Sequence, residues 1–140
     1  MSGLGYSFAA PAGWRRVSEV GLLAPDGAAM ITLGHAWVAP GRAPASSTAI
    51  KILDAALGEG WRGAALPMPD GLEGAWLRGT AHGLIRELAL IVVAAMVVPA
   101  RLDRRAGAAT ARAVFVASLR SIRCETRQPV AAEALLHWLD

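Results

Sequence analysis

The apolar residues of this chain fall into short runs broken by Pro and Gly, and most runs alternate rather than repeat at helical spacing. Residues 6–9 form the first, closed by the turn signal Pro11-Ala12-Gly13, and residues 14–17 resume beyond it. Two longer runs, 20–24 and 28–38, flank Pro25-Asp26-Gly27. Asp-Gly between apolar runs predicts a hairpin, because it tolerates the positive φ that tight hairpin turns need. In the second arm Ile31, Leu33, His35 and Trp37 alternate with Met30, Thr32, Gly34 and Ala36. The bulk of Ile31, Leu33 and Trp37 marks theirs as the buried face, with His35 half-buried among them.

Helical spacing comes next. After a loop at 40–45, Ser46 or Ser47 is placed to cap a helix in which Ala49, Ile50, Leu53, Ala56 and Leu57 share a face, ended by Gly58 and Gly60. Strands are predicted over 62–68 and 73–82. The run 84–102 reads as two more strands, 84–93 and 96–102, around Ala94-Ala95. That turn lacks Gly, Asn or Asp, so a single helix over 84–97 competes. Residues 104–123 read as a helix with Ala111, Val114, Phe115, Ser118, Leu119 and Ile122 on one arc. Arg105, Arg112, Arg120 and Arg123 lie on a second arc, into which Val116 intrudes. Pro129 opens a last helix carrying Val130, Ala134 and Trp138 on one side. Hairpins with few crossovers predict an α+β fold, a mainly antiparallel sheet flanked by helices, as one domain over 1–124 with a helical extension at 125–140.

Composition modifies this picture in three places. At 140 residues, 54% hydrophobic and 18% charged, the chain is long and apolar enough for a real core, which excludes intrinsic disorder. A mean hydropathy of +0.40 raises a membrane question. The most apolar run, 88–100, is shorter than the roughly 20 residues of a spanning helix, so a membrane span is not expected. The first residues lack a signal peptide's basic and apolar regions, which predicts a cytoplasmic location. A lone Cys124 excludes an internal disulfide and a multi-Cys zinc site. The net charge of +3 is uneven: residues 101–127 carry seven Arg against Asp103 and Glu125, a local +5.

Candidate chemistry is sparse. His35, His82 and His137 match no zinc motif. His35 and His82 would line a ligand or metal pocket if they met across the sheet, with Asp26 or Asp70 nearby. Cys124 has no catalytic signature around it, and capping accounts for Ser46-Ser47-Thr48. No glycine pattern marks a nucleotide site. No enzyme activity, metal or cofactor is therefore expected. The Arg face at Arg105, Arg112, Arg120 and Arg123 suits an anionic surface. Without aromatic platforms beside it, nucleic acid is not the expected partner. Five Trp, at 14, 37, 61, 76 and 138, suit a groove for an apolar helix.

Several phrases resemble the PsbP/DcrB-like superfamily of α/β/α domains. They are Tyr6-Ser7-Phe8-Ala9-Ala10-Pro11-Ala12-Gly13-Trp14, the hairpin at 23–33, Leu72-Glu73-Gly74-Ala75-Trp76-Leu77, and Phe115-Val116-Ala117-Ser118-Leu119-Arg120-Ser121-Ile122-Arg123. The resemblance covers residues 4–123. Its branch closest in length is the effector-associated (Eag) chaperones of bacterial type VI secretion. These bind apolar helices of secreted effectors and are not enzymes. What it implies is a cytoplasmic chaperone or adaptor that shields an apolar segment of a partner protein, with Trp14, Trp37, Trp61, Trp76 and Trp138 lining the groove. A homodimer is compatible with that role. Two other readings stand beside it: a small-ligand- or metal-binding domain with a pocket near His35 and His82, and an anionic-surface binder using the Arg105 to Arg123 helix.

Overall fold

The computed structural model describes residues 6–38, 62–66, 73–93, 96–108 and 110–124. Among them are ten strands and one helix. The strands are β1 (Tyr6–Ser7), β2 (Arg15–Arg16), β3 (Gly21–Leu23), β4 (Ala29–Leu33), β5 (Trp37–Val38), β6 (Arg62–Leu66), β7 (Glu73–Ala81), β8 (Leu84–Val93), β9 (Met96–Arg104) and β10 (Arg123–Cys124). The helix, α1, is Thr110–Leu119. The main sheet runs β2-β3-β4-β9-β8-β7-β6, with β5 beside β9. Every neighbouring pair in it is antiparallel. A mainly antiparallel sheet with a helix on it is an α+β fold, as the hairpin-rich order predicts. No helix among the described residues is long and apolar enough to cross a membrane. The helices predicted at 46–57 and after Pro129, and the extension at 125–140, lie outside the described residues.

The run at 84–102 is two strands and not a helix, paired continuously from Ile85↔Arg104 to Val93↔Met96. Its unbroken hydrophobicity comes from its position in mid-sheet. Ala89 and Ile91 point to one face and Leu88 and Leu90 to the other, all fully buried. A strand buried on both faces has no polar alternation to show.

The Pro25-Asp26-Gly27 hairpin forms as predicted. Gly27 N–H donates to the Ala24 carbonyl (3.0 Å), and Asp26 Oδ1 accepts from Ala28 N–H (2.9 Å). Gly27 takes φ +73°, where a side chain would be strained.

The alternation expected beyond Leu33 fails, and Pro99 explains why. Pro99 accepts from Gly34 N–H through its carbonyl (2.9 Å), so its nitrogen also faces the β4–β5 side. With no N–H to give there, the partner strand breaks. Leu33 pairs with Ala100 and Trp37 with Val97, so three residues (34–36) oppose two (98–99). This is a β-bulge, and the extra residue reverses the facing of the positions beyond it. Ala36 turns inward and His35 is exposed, not half-buried.

The expected helix at 104–123 is also corrected. Arg104 completes β9, where the ladder to β4 and β8 claims it. Arg105 N–H donates to the Ala28 carbonyl, and a turn through Gly107 precedes α1. At the other end Ser121 Oγ donates to the Ser118 carbonyl, and Arg123 pairs with Ser7 in the β1–β10 ladder.

α1 covers one sheet face. Ala111, Phe115 and Leu119 pack with Ile31, Leu33, Ala89, Ile91, Val98, Ala100 and Leu102, while Tyr6, Phe8 and Ile122 close the edge. Tyr6 Oη donates to the Gly34 carbonyl at 2.7 Å, tying β1 to the bulge.

Candidate functional site

Period-two alternation in β8 and β9 sorts their charged residues onto opposite faces. Odd positions of β9 place Arg101 and Asp103 on the face away from α1, and Arg105 comes just beyond the strand. Even positions of β8 put Leu84 and Arg86 on that same face. The register aligns Leu23, Met30, Asp103, Arg86 and Gly79 in one row across five strands. At the hairpin end of this row lies an open cavity of about 350 Å³. Its described lining includes Arg86, Arg101, Asp103, Arg105, His82, and the half-buried Leu23, Met30 and Leu84.

Asp103 organises the polar wall. Arg86 Nε donates to its Oδ1 at 2.7 Å, and Arg101 Nε lies 3.4 Å from its Oδ2. All three side chains are at least mostly buried. Burial, with the Arg86 guanidinium adding to it, pulls the pKa of Arg101 below the ordinary arginine value; Asp103 acts in the opposite direction. Arg105 is exposed at the mouth. His82 sits in the β7–β8 turn with φ +55°, before Gly83 at +77°. Two successive positive φ values define the tight turn that matches strand twist. Gly fits the second position without cost, whereas His is an uncommon choice at the first.

The other face carries a second ion cluster, beneath α1. Glu87 is fully buried there. Arg104 Nε lies 3.3 Å from Glu87 Oε2, and Arg112 Nε lies 3.1 Å from Oε1 without the alignment of a hydrogen bond. The Arg112 guanidinium also stacks over the Trp76 ring, 4.4 Å from its centroid.

The residues singled out in the sequence are thereby dispersed. His35 and His82 lie at opposite ends of the sheet, separated by about 20 Å of strand length, so they do not form one pocket. Among the described residues no group of His, Cys, Asp and Glu is placed to hold a metal ion. Of the four candidate anion contacts, Arg105 lines the cavity. Arg112 is engaged with Glu87 and Trp76. Arg123 donates to the carbonyls of Arg120 and Ile122, where it caps the end of the helical segment, and Arg120 is exposed. Trp14 and Trp76 are half-buried against the core, and Trp37 lies in β5. Trp61 and Trp138 fall outside the described residues.

In the sequence Arg101 and Asp103 enter only as part of the local +5, and nothing there draws attention to Arg86. The signal that would have found them is the alternation Arg101-x-Asp103-x-Arg105 facing Leu84-x-Arg86. It is legible only once 96–104 is read as a strand and not as the start of a helix. Neither protein-family models nor curated protein sequences give a match to this chain.

Proposed function

We propose that this chain is a non-enzymatic binding domain whose ligand is a small molecule held in the cavity at the His82 end of the sheet. The observation that carries this reading is the convergence of Arg86, Arg101, Arg105 and His82 on one concave site with an apolar floor. Ligand sites typically enclose about 300–1,000 Å³ and combine apolar walls with a few oriented polar groups. This cavity fits the small end of that range. The test is a thermal-shift screen of small molecules on the parent and on Leu84→Trp, which fills the mouth. Hits that raise the Tm of the parent and lose their effect on the folded variant support the reading. Hits that act equally on both overturn it.

A second reading keeps the chaperone role that the PsbP/DcrB-like resemblance implies. Its support is the set of sequence phrases that carry that resemblance, together with the coarse α+β character of the fold. Among the described residues Val17 is the single exposed large hydrophobic side chain, so the cavity is the better-supported site. Titrating an apolar helical peptide while monitoring Trp fluorescence separates the two. Saturable binding that Leu84→Trp leaves unchanged favours the chaperone role.

A further inference from the structure

Resting on the cavity reading above, we propose that the ligand is a neutral molecule carrying an aromatic ring. The ring lies on Leu23, Met30 and Leu84 and stacks against the face of the Arg105 guanidinium.

The polar wall of the cavity is paired within the protein. Arg86 and Arg101 both contact Asp103, and each has a further partner besides. A ligand is therefore not required to bring a counter-charge to this wall. Arg105 is placed differently. It follows directly on β9, its N–H is tied to the Ala28 carbonyl (3.0 Å), and its side chain is exposed at the cavity mouth.

The register puts the apolar floor beside it. Leu84 and Arg105 are the next positions outward from the Ile85↔Arg104 pair, and Met30, the partner of Asp103, stands diagonal to Arg105. Leu23 follows as the partner of Met30. Opposed positions on one sheet face stand roughly 5 Å apart, so a ring resting on Leu84 and Met30 comes within reach of the Arg105 side chain. All three apolar side chains are half-buried.

The chemistry of these groups selects an aromatic ring. A guanidinium pairs with oxyanions through its N–H edge and offers its flat face to a π-system. Arg112 behaves in this way in the same fold, 3.1 Å from Glu87 and 4.4 Å above the Trp76 ring. The Met30 thioether is polarizable and favours aromatic edges. Gly27, Ala28 and Ala29 extend the lining without a long side chain, and a Cβ added at Gly27 would meet nothing within 4 Å. That leaves the turn side open to a flat group. A saturated ring has no quadrupole and gains nothing from Arg105.

The experiment titrates two neutral probes, benzyl alcohol and cyclohexylmethanol, into the full chain by nuclear magnetic resonance. The saturated probe is the more apolar, so burial alone favours it. Stacking reverses that order: benzyl alcohol should bind about threefold to thirtyfold more tightly, the range of one cation–π contact. Arg105→Leu keeps the bulk and drops the cation, and should abolish the preference for the aromatic probe. Arg120→Leu, which removes an exposed arginine just beyond α1, should leave the preference unchanged. Leu84→Trp should weaken both probes. Equal or tighter binding of cyclohexylmethanol, weakened by Leu84→Trp, overturns the aromatic assignment and leaves the cavity reading intact. A preference that survives Arg105→Leu overturns it as well. If Leu84→Trp changes neither affinity, the cavity reading falls and the aromatic assignment falls with it. Absence of binding by both probes at millimolar concentration overturns the aromatic assignment, while the thermal-shift screen still decides the cavity reading.

Discussion

Glu87 offers the sharpest test of how this fold is held together. Its carboxylate is fully buried under α1, between Arg104, whose side chain is 6% exposed, and Arg112, whose side chain is 44% exposed. Glu87→Gln keeps the shape and removes the charge. Arg104 cannot reach solvent and is left as an uncompensated buried cation. Breaking a buried pair from one side costs about 3–5 kcal/mol. That is a large part of the roughly 5–15 kcal/mol that holds a domain folded. For a chain of this length each kcal/mol shifts the Tm by about 3 °C, so a fall of about 10 °C or more is expected. Arg112→Ala should cost far less, about 1–2 kcal/mol, because its ion pair is solvent-screened and its stacking on Trp76 is partly exposed. The double variant Glu87→Gln/Arg104→Met removes both buried partners and should recover at least half of the loss. Urea unfolding monitored by far-ultraviolet circular dichroism measures all four proteins. A Glu87→Gln protein within about 1 kcal/mol of the parent would refute the argument, and so would a double variant no more stable than the single.

Other expectations come from the packing. Phe115→Ala should lose about 3–5 kcal/mol in the same urea assay, since its ring is 1% exposed at the centre of the helix–sheet contact. Gly27→Ala should cost about 1–2 kcal/mol although nothing crowds the new methyl, because φ +73° is strained for any side chain. Tyr6→Phe should cost about 1–2 kcal/mol by removing the buried hydroxyl from the Gly34 carbonyl. His82→Asn should raise stability by a few tenths of a kcal/mol, since Asn accepts the left-handed region more readily; a lower Tm would show that the His82 ring makes a contact worth more than its backbone strain.

The two ion clusters have one origin. β8 carries Arg86-Glu87 and β9 carries Asp103-Arg104. Adjacent residues of a strand face opposite ways, so one antiparallel hairpin sends Arg86 and Asp103 to the cavity face and Glu87 and Arg104 to the helix face. Arg86 and Asp103 are direct register partners, whereas Glu87 and Arg104 meet diagonally. The same four residues therefore shape the candidate site and seat the helix above the opposite face. Changes at either pair are expected to report on stability, and changes at Arg101 or Arg105 on binding.

Much of the local structure was legible in the residues themselves. Pro25-Asp26-Gly27 specified its hairpin, because the turn's chemistry is contained in three residues. The apolar arc Ala111, Phe115, Ser118 and Leu119 identified the buried side of α1, because helical periodicity is local. The unbroken run at 84–102 signalled strands buried on both faces, though it left a helix open as an alternative. What periodicity could not supply was position in the sheet. Pro99 looks like the end of an apolar run in one dimension. Only its pairing beside β4 and β5 shows it forcing the bulge that exposes His35. Arg104 fits a helical pattern as well as a strand, and the β8 and β4 ladders decide between them. Arg101 and Asp103 read as undirected charge, and Arg105 as part of a helical Arg face, until the register sets them near Arg86 around a cavity. Turn chemistry and face periodicity act between residues a few positions apart and are written along the chain. The Arg86–Asp103 and Glu87–Arg104 pairs each join residues 17 positions apart, and only the folded sheet brings those together.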